Sequence, residues 1–206
     1  MIQKLFPTYV YTAPLMKNAR QLKSFLSEIR SDIQKIQDFD VEGHEWSEEN
    51  YPGGYTSYSS ISELHQFSSL FAELKERLDS HVKSFGRSLD MDLKNFPLSM
   101  TESWVNVMPP LCVHSGHIHP QASVSGTFYV DVPRGSSPLK FEDPRLGFFM
   151  GSVPRKAKTR DDHKQFVSVQ PVEGQVTLFE SWLRHEVPPN KVEKTRTSVS
   201  FNYNWF

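Results

Sequence analysis

The sequence predicts an α+β protein that is mainly β in its core, with a helical N-terminal part packed on that core. Apolar residues recur at helical spacing in the first hundred residues, and short runs rich in Val, Thr, Ser and aromatic residues follow after about residue 97. A chain of 206 residues has the length of one domain, or of a domain with an extension. We expect residues 1–97 to form a mainly helical support region and residues 98–206 a β core, integrated in one domain.

The N-terminal part contains two amphipathic segments. In residues 16–37, apolar side chains follow one another at spacings of three and four, and the same period returns in residues 60–92. Residues 39–59 lie between them and contain Pro52-Gly53-Gly54 with many Ser and Tyr residues. This composition is typical of turns, so we predict a helix on each side of a turn-rich stretch.

The C-terminal part contains six strand-like runs bounded by Pro, Gly and Asn. They cover residues 103–107, 123–132, 138–143, 165–172, 175–183 and 195–206. Because no helical stretch separates them, they favour a sandwich, a jelly roll or a barrel. The connection 144–164 is long, basic and polar, which is typical of a functional or mobile loop.

Charge and composition argue against several classes of function. The chain carries 23 Lys and Arg residues against 24 Asp and Glu residues, so we expect neither a nucleic-acid partner nor a membrane partner. It has no run of about 18 apolar residues. The single cysteine, Cys112, and an N-terminus without a secretory pattern predict a cytoplasmic protein. A homodimer through the N-terminal helices stays open, although no heptad pattern indicates one.

Three of the eight histidines fall within six residues: His114, His117 and His119. Residues i and i+2 of an extended chain point to the same face, so His117 and His119 can share a metal. His185, which we expect to close the strand-like run 175–183, is a candidate third ligand. Three protein ligands leave positions open on a first-row metal. The alternative is a His-rich loop that binds no metal.

A candidate anion site follows His185 in the sequence. The segment Val187-Pro188-Pro189-Asn190 is a turn signal, so we expect the strands before and after it to pair as a hairpin. Arg196 would then lie almost opposite His185, with Ser198 on the same face. A guanidinium beside a hydroxyl is suited to hold a carboxylate. The alternative for Arg196 is a surface ion pair.

Five motifs in order resemble the 2-oxoglutarate/Fe(II)-dependent oxygenase superfamily, and more closely its small bacterial and phage branch. They are SWVNV (103–107), HIHPQASVSGTFYVDVP (117–133), PLKFEDPR (138–145), GQVTLFESWLRHEV (174–187) and RTSVSFN (196–202). The resemblance implies a double-stranded β-helix, or jelly roll, as the core. This implication agrees with the strand pattern.

The resemblance also implies roles for individual residues. His117 and His185 match metal ligands, and Arg196 matches the residue that pairs with the distal carboxylate of 2-oxoglutarate. The superfamily commonly carries His-x-Asp or His-x-Glu, whereas this chain carries His119 at the third position. We favour His119 as the third ligand, with Asp143 and Glu180 as alternatives.

Further side chains are candidate contacts of the co-substrate: Ser198, Tyr129, Asn106 and Ser125. Asp143 and Arg145 are expected to form a local ion pair that holds a turn, and Trp182 is expected in the core.

The implied cofactors are Fe(II), 2-oxoglutarate as co-substrate, and O₂. The implied activity is hydroxylation of a C–H bond in a peptide, prolyl or amino-acid-like substrate, with release of succinate and CO₂. No side-chain general base is expected beyond the metal centre. Two alternatives remain: a three-His jelly-roll dioxygenase that does not use 2-oxoglutarate, and a non-catalytic β-sandwich binding module.

Overall fold

The computed structural model describes residues 1–205, with Phe148 described by its backbone alone. The α-helices within these residues are α1 (Ala19–Phe39), α2 (Val41–Asn50), α3 (Leu64–Phe67), α4 (Ser69–Ser88) and α5 (Leu146–Phe149). The strands are β1 (Val10–Pro14), β2 (Tyr55–Thr56), β3 (Ser99–Met108), β4 (His114–His117), β5 (Val124–Asp131), β6 (Leu139–Glu142), β7 (Phe166–Val169), β8 (Gln175–Glu180), β9 (His185–Val187) and β10 (Arg196–Asn204). Phe206, the last residue of the predicted run 195–206, lies outside the described residues.

The strands form two antiparallel sheets. The larger sheet has the order β1-β8-β5-β10-β3-β2, and the smaller one has the order β4-β9-β6-β7. Side chains from both sheets share one buried cluster, in which Met108 and Phe179 of the larger sheet join Leu139 and Phe141 of the smaller sheet. Two facing antiparallel sheets form the jelly roll, so the predicted fold class is confirmed.

The outer face of the larger sheet packs against α1 and α4. Successive side chains of a strand point to opposite faces, and the outer set is apolar. The buried cluster on this side joins Val105, Phe128, Val199 and other strand residues to the apolar stripes of both helices. Each fully buried side chain of this kind contributes about 1.5–3 kcal/mol. In the described part of the chain, no helix is both long and apolar enough to cross a membrane.

Both predicted amphipathic segments are helical, with shifted bounds. The helix α1 begins after Asn18, whose side chain accepts hydrogen bonds from the backbone N–H groups of Arg20 and Gln21. The second segment is interrupted at Ser68, which has an extended backbone and caps α4 through its hydroxyl. The short helix α3 and the longer α4 therefore replace a single helix over residues 60–92.

The stretch interpreted as turn-rich contains the helix α2, so the prediction for residues 41–50 was wrong. Asp40 caps this helix, because its Oδ1 accepts from the backbone N–H of Gly43 at 3.0 Å. Its Oδ2 accepts from the hydroxyls of Tyr55 and Ser60, each at 2.7 Å. The helix depends on these contacts with residues outside it, which no local apolar period reveals.

The N-terminal part also supplies both edge strands of the larger sheet. Antiparallel pairing joins β1 to β8 and β2 to β3. The residues before position 98 thus contribute strands as well as helices to the β core.

The predicted hairpin around Val187–Asn190 does not form. The strand β8 ends at Glu180, and His185 begins a separate strand, β9, in the smaller sheet. There β9 pairs with β4 and β6, whereas β10 pairs with β3 and β5 in the larger sheet. The turn therefore carries the chain from one sheet to the other. The turn signal was read correctly as a change of direction, but it does not reveal which sheet the next strand joins.

The connection 144–164 contains α5 and a 3-10 helix over Asp161–His163. Local ion pairs hold its second half, among them Lys164 with Asp161 at 2.6 Å. Lys4 reaches Asp162 at 2.7 Å, so the N-terminal segment contacts this connection.

Candidate functional site

Besides the apolar Met108 and Phe179, the inner face of the larger sheet carries many polar side chains. Its buried polar side chains stand at alternate positions of four neighbouring strands: Asn106, Ser125, Thr127, Tyr129, Thr177, Ser198 and Asn202. In the register of the sheet, Ser198 stands between Asn106 on β3 and Tyr129 on β5. Buried polar groups cost free energy unless they find partners, so this lining is suited to a polar ligand.

Three imidazoles converge where β4 and β9 meet. His117 and His185 are paired in register across these strands, and His119 follows two residues after His117. The backbone N–H of His119 donates to the carbonyl of Ser181 at 3.0 Å, which fixes the chain beyond β4. One ligand atom from each of the three side chains lies within 4.8 Å of the others.

The ring nitrogens of this cluster are arranged as metal ligands require. Nδ1 of His117 lies 2.7 Å from the carbonyl of Ser115, and Nδ1 of His185 lies 2.9 Å from that of Leu183. A proton on each Nδ1 satisfies these carbonyls and leaves the Nε2 lone pair free for an ion. The Nε2 atoms of His119 and His185 are 3.3 Å apart. Two nitrogens bound at right angles to one ion at about 2.1 Å lie about 3.0 Å apart, so the spacing fits a shared ion.

Burial and mutual repulsion disfavour the charged form of His119 and His185. Burial, followed by the neighbouring histidines, lowers the pKa of His119 to about 3 and that of His185 to about 4. The neutral form is the one that binds a metal. The cluster can therefore hold a divalent first-row ion near neutral pH.

Arg196 is a buried cation without a carboxylate partner. Arg196 is 2% exposed. Among the hydrogen bonds of the described residues, its Nη1 donates only to the sulfur of Met108, at 3.1 Å. Its Nε has no hydrogen-bond partner there. A buried guanidinium is costly unless an anion pairs with it, so the predicted surface ion pair does not apply. The side chain is suited to a bound carboxylate.

Buried hydroxyls without partners lie close to Arg196. The hydroxyl oxygens of Tyr129, Thr177 and Tyr51 are buried and have no hydrogen-bond partner within the part of the chain that the structure describes. Arg196 lies 5.2 Å from the centre of the Tyr129 ring, and its positive charge opposes the strong rise in the pKa of both tyrosines that burial causes. Together these groups form an anion pocket, defined here as Arg196, Tyr129, Thr177 and Tyr51.

The remaining predicted residues have mixed positions. Asn106 lies on the inner face, but its amide accepts from Thr56 and donates to Ser200. Ser125 bonds to Ser181 and Asn202. Asp143 forms an ion pair with Arg145 at 2.6 Å, which is the local pair that the sequence predicted.

The two alternative third ligands do not join the imidazoles. The metal-ligand group found in the described residues contains His117, His119 and His185 but neither Asp143 nor Glu180. Trp182 is 47% exposed, so its predicted place in the core was wrong. It stands in the turn between β8 and β9, where its side chain points to solvent.

Sequence reasoning missed two residues of the site. The Tyr51 ring packs on the His114 ring with 4.3 Å between their centres, and His114 in turn faces His117. His114 was visible as a third histidine in the cluster. Nothing in the sequence marks Tyr51, because it reaches the site through the position of α2, whose C-terminal cap it forms.

Comparisons with known proteins agree with this geometry. Residues 102–202 match a family model described as "Putative 2OG-Fe(II) oxygenase". No curated protein matches the chain. The matched segment contains all three clustered histidines and Arg196.

Solved structures share the fold at low sequence identity. HygX from Streptomyces hygroscopicus, solved with nickel and 2-oxoglutarate bound, has a TM-score of 0.64 at 15% identity over 96% of this chain and 83% of that chain. A prolyl-4-hydroxylase from Pseudomonas putida has a TM-score of 0.59 at 13% identity over 97% and 94%. The viral collagen prolyl hydroxylase of Paramecium bursaria Chlorella virus-1, a 2-oxoglutarate complex, has a TM-score of 0.57 at 10% identity over 96% of both chains. Residues 102–202, just under half of the chain, are therefore similar to the 2OG-Fe(II) oxygenase family.

Proposed function

We propose that this protein is an Fe(II)- and 2-oxoglutarate-dependent oxygenase that hydroxylates a C–H bond of a peptide, prolyl or amino-acid-like substrate. The observation that carries the proposal is one interior that contains both a cluster of three imidazoles and a buried guanidinium that pairs with no carboxylate of the described residues. The first suits a divalent ion, and the second suits the distal carboxylate of 2-oxoglutarate. The prolyl hydroxylases among the structures with this fold favour a peptide or prolyl substrate.

In this proposal, His117, His119 and His185 hold the iron. With Fe(II), 2-oxoglutarate and O₂ bound, the centre supplies oxidation of a substrate C–H bond coupled to release of succinate and CO₂. The carbonyls of Ser115 and Leu183 keep two of the imidazoles in the tautomer that presents Nε2. The rings of Phe141 and Phe179 pack against His185 and keep water from that side of the cluster.

The anion pocket holds the co-substrate. Arg196 pairs with its distal carboxylate, and the free hydroxyls of Tyr129 and Tyr51 donate to the same oxygens. Ser198 stands beside Tyr129 in the register of the sheet and adds a further donor. Asn106 contributes through Ser200, to which its amide donates at 2.9 Å, and shapes the floor of the site. These donors orient the co-substrate with its other end towards the imidazoles.

Arg196→Met tests the proposal. Truncating one partner of a buried charge pair costs about 2–5 kcal/mol, which is a loss of at least about 25-fold in affinity. We expect this loss for 2-oxoglutarate, measured by calorimetry with Mn(II) in place of iron, whereas Mn(II) binding itself persists. The free energy of unfolding without ligand should stay the same or rise, because an unpaired buried charge is removed.

Arg87→Met, at an exposed position of α4, is the matched control and should bind 2-oxoglutarate like the unaltered protein. Equal binding of 2-oxoglutarate by Arg196→Met and by the control would contradict the proposal. It would favour the three-His dioxygenase that does not use this co-substrate.

A further inference from the structure

A row of aromatic side chains leads from the three imidazoles to the surface. The ring of Trp104 lies 5.8 Å from that of His119, and Tyr58 meets Trp104 edge to face at 5.0 Å. Trp46 follows at 6.3 Å from Tyr58. Trp104 is 5% exposed, whereas Tyr58 is 45% exposed. The row thus has one end beside the imidazoles and the other in solvent.

A carboxylate borders this row. Glu102 stands two residues before Trp104 on β3, so both side chains lie on the inner face. Its Oε2 accepts a hydrogen bond from Asn202 Nδ2 at 2.5 Å. Burial, followed by the negative charge of Glu102, raises the pKa of Tyr58, so the carboxylate lies near that ring. Among the ion pairs formed by the described Lys and Arg residues, none involves Glu102.

The order of the side chains along the inner face of β3 shows where the aromatic row and Glu102 lie relative to Arg196. Met108 is paired with Arg196, Trp104 lies beside His119, and Glu102 follows one step further. Successive residues on one face of a strand are about 6.8 Å apart. A co-substrate between Arg196 and the imidazoles therefore leaves Trp104 and Glu102 on the opposite side of the cluster. A molecule on that side has its reacting carbon near His119 and a further group near Glu102.

We propose that Trp46, Tyr58, Trp104 and Glu102 form a substrate wall that selects a substrate with a positively charged amine. Aromatic faces attract cations, and an adjacent carboxylate without a basic partner adds a charge-assisted hydrogen bond. The inference rests on the proposed function, because it defines the substrate of the same site. Within the class of amino-acid-like or peptide substrates, the wall selects one that carries an ammonium group a few carbon atoms from the reacting carbon.

The four tryptophans provide the measurement, because two lie in the wall and two, Trp182 and Trp205, are exposed elsewhere. The probe is Nα-acetyl-L-lysine methylamide, and its norleucine counterpart is the neutral control. The full chain is loaded with Zn(II) and 2-oxoglutarate in a buffer that contains no Mn(II). Both probes are titrated into this sample, and the indole N–H signals are followed by NMR. We expect the lysine probe to shift the signals of Trp46 and Trp104 and to leave the other two in place. The norleucine probe should bind at least 10-fold more weakly.

Glu102→Gln keeps the hydrogen-bonding shape of the side chain and removes its charge. We expect it to weaken the lysine probe at least 10-fold without changing the norleucine probe, while Glu193→Gln, at an exposed position outside the wall, changes neither. Tyr58→Leu, at a half-exposed position, is the second variant if Glu102→Gln does not fold, and it should weaken the lysine probe as well.

Equal affinity for the two probes, or shifts confined to Trp182 and Trp205, would overturn the proposal. Unchanged lysine binding in Glu102→Gln would overturn it too. Binding of 2-oxoglutarate is measured in the same samples. If it persists while the probe fails, the substrate wall is wrong and the proposed function stands. If the lysine probe binds as expected but 2-oxoglutarate does not, the proposed function fails instead.

Discussion

Four imidazoles share one partly buried space, and burial, followed by their neighbours, makes three of them harder to protonate: His114, His119 and His185. The ring centres of His117 and His185 are 4.4 Å apart, and His114 stands 6.2 Å from His117 on the side of Arg196. Burial, followed by these neighbours, lowers the pKa of His114 to about 3, as it lowers those of His119 and His185. Because the charged form is disfavoured at His119 and His185, these two candidate ligands are in the form that binds a metal before an ion arrives.

The metal-free protein should lose stability as the pH falls from about 6.5 towards 4. In this range the unfolded chain binds protons at His114, His119 and His185, with a pKa of about 6.5, whereas the folded chain does not. The unfolded state then holds more protons, so the free energy of unfolding decreases on acidification. Urea denaturation in EDTA at pH 7, 6 and 5 measures the dependence. The double variant His119→Gln, His185→Gln should show a shallower slope, and an equal slope would contradict the expectation.

At the same scale, the sequence was sufficient to group His117, His119 and His185. The i, i+2 spacing of His117 and His119 is a local feature of the chain, and the order of the motifs identified His185 as the third member. It also singled out Arg196, which is buried with an unpartnered Nε among the described residues, although the hairpin used to place it does not exist. It was not sufficient for Tyr51. The position of that hydroxyl depends on α2, and α2 depends on the contacts of Asp40 with Tyr55 and Ser60.

At the scale of elements, β5 shows how closely the strands and helices pack. A Cβ atom on Gly126 would lie 2.6 Å from Leu178 Cδ2 and 2.6 Å from the ring of Phe201, on the face that meets the helices. These neighbours come from β8 and β10, so the glycine lets the two strands that flank β5 carry large apolar side chains at its level. Short runs rich in Val, Thr, Ser and aromatic residues predicted these strands, but such local runs do not reveal the pairing order within the sheets.

Gly126→Ala should therefore lower the free energy of unfolding by about 1–3 kcal/mol, the usual cost of overpacking a core. The substitution is measured by urea denaturation. Gly151→Ala is the matched control, since a Cβ there meets no atom within 4 Å. It should change stability by less than about 0.5 kcal/mol. Equal effects of the two substitutions would mean that the sheet and helices tolerate an added methyl group at β5.

At the scale of the whole molecule, polar bonds tie the N-terminal helices to the larger sheet in addition to the apolar cluster they share. Arg30 of α1 donates to Asp131 of β5 at 2.6 Å, and Asp79 of α4 accepts from the hydroxyl of Tyr203 at 2.8 Å. A third bond joins Tyr11 of β1 to His81 of α4 at 2.8 Å. Removal of the helices would expose the apolar face of the sheet and leave these polar groups without partners.

The whole chain should therefore unfold in one cooperative transition, without separate loss of the part before residue 98. Far-UV circular dichroism reports mainly on the helices. In a Trp46→Phe variant, tryptophan fluorescence reports on residues 98–206, which contain Trp104, Trp182 and Trp205. We expect the urea midpoints of the two signals to coincide, since loss of either layer uncovers the shared cluster. An earlier loss of the helical signal would instead identify residues 98–206 as a core that is stable alone. Mn(II) with 2-oxoglutarate should raise both midpoints equally, because a ligand that binds only the folded state stabilises every element of a cooperative unit.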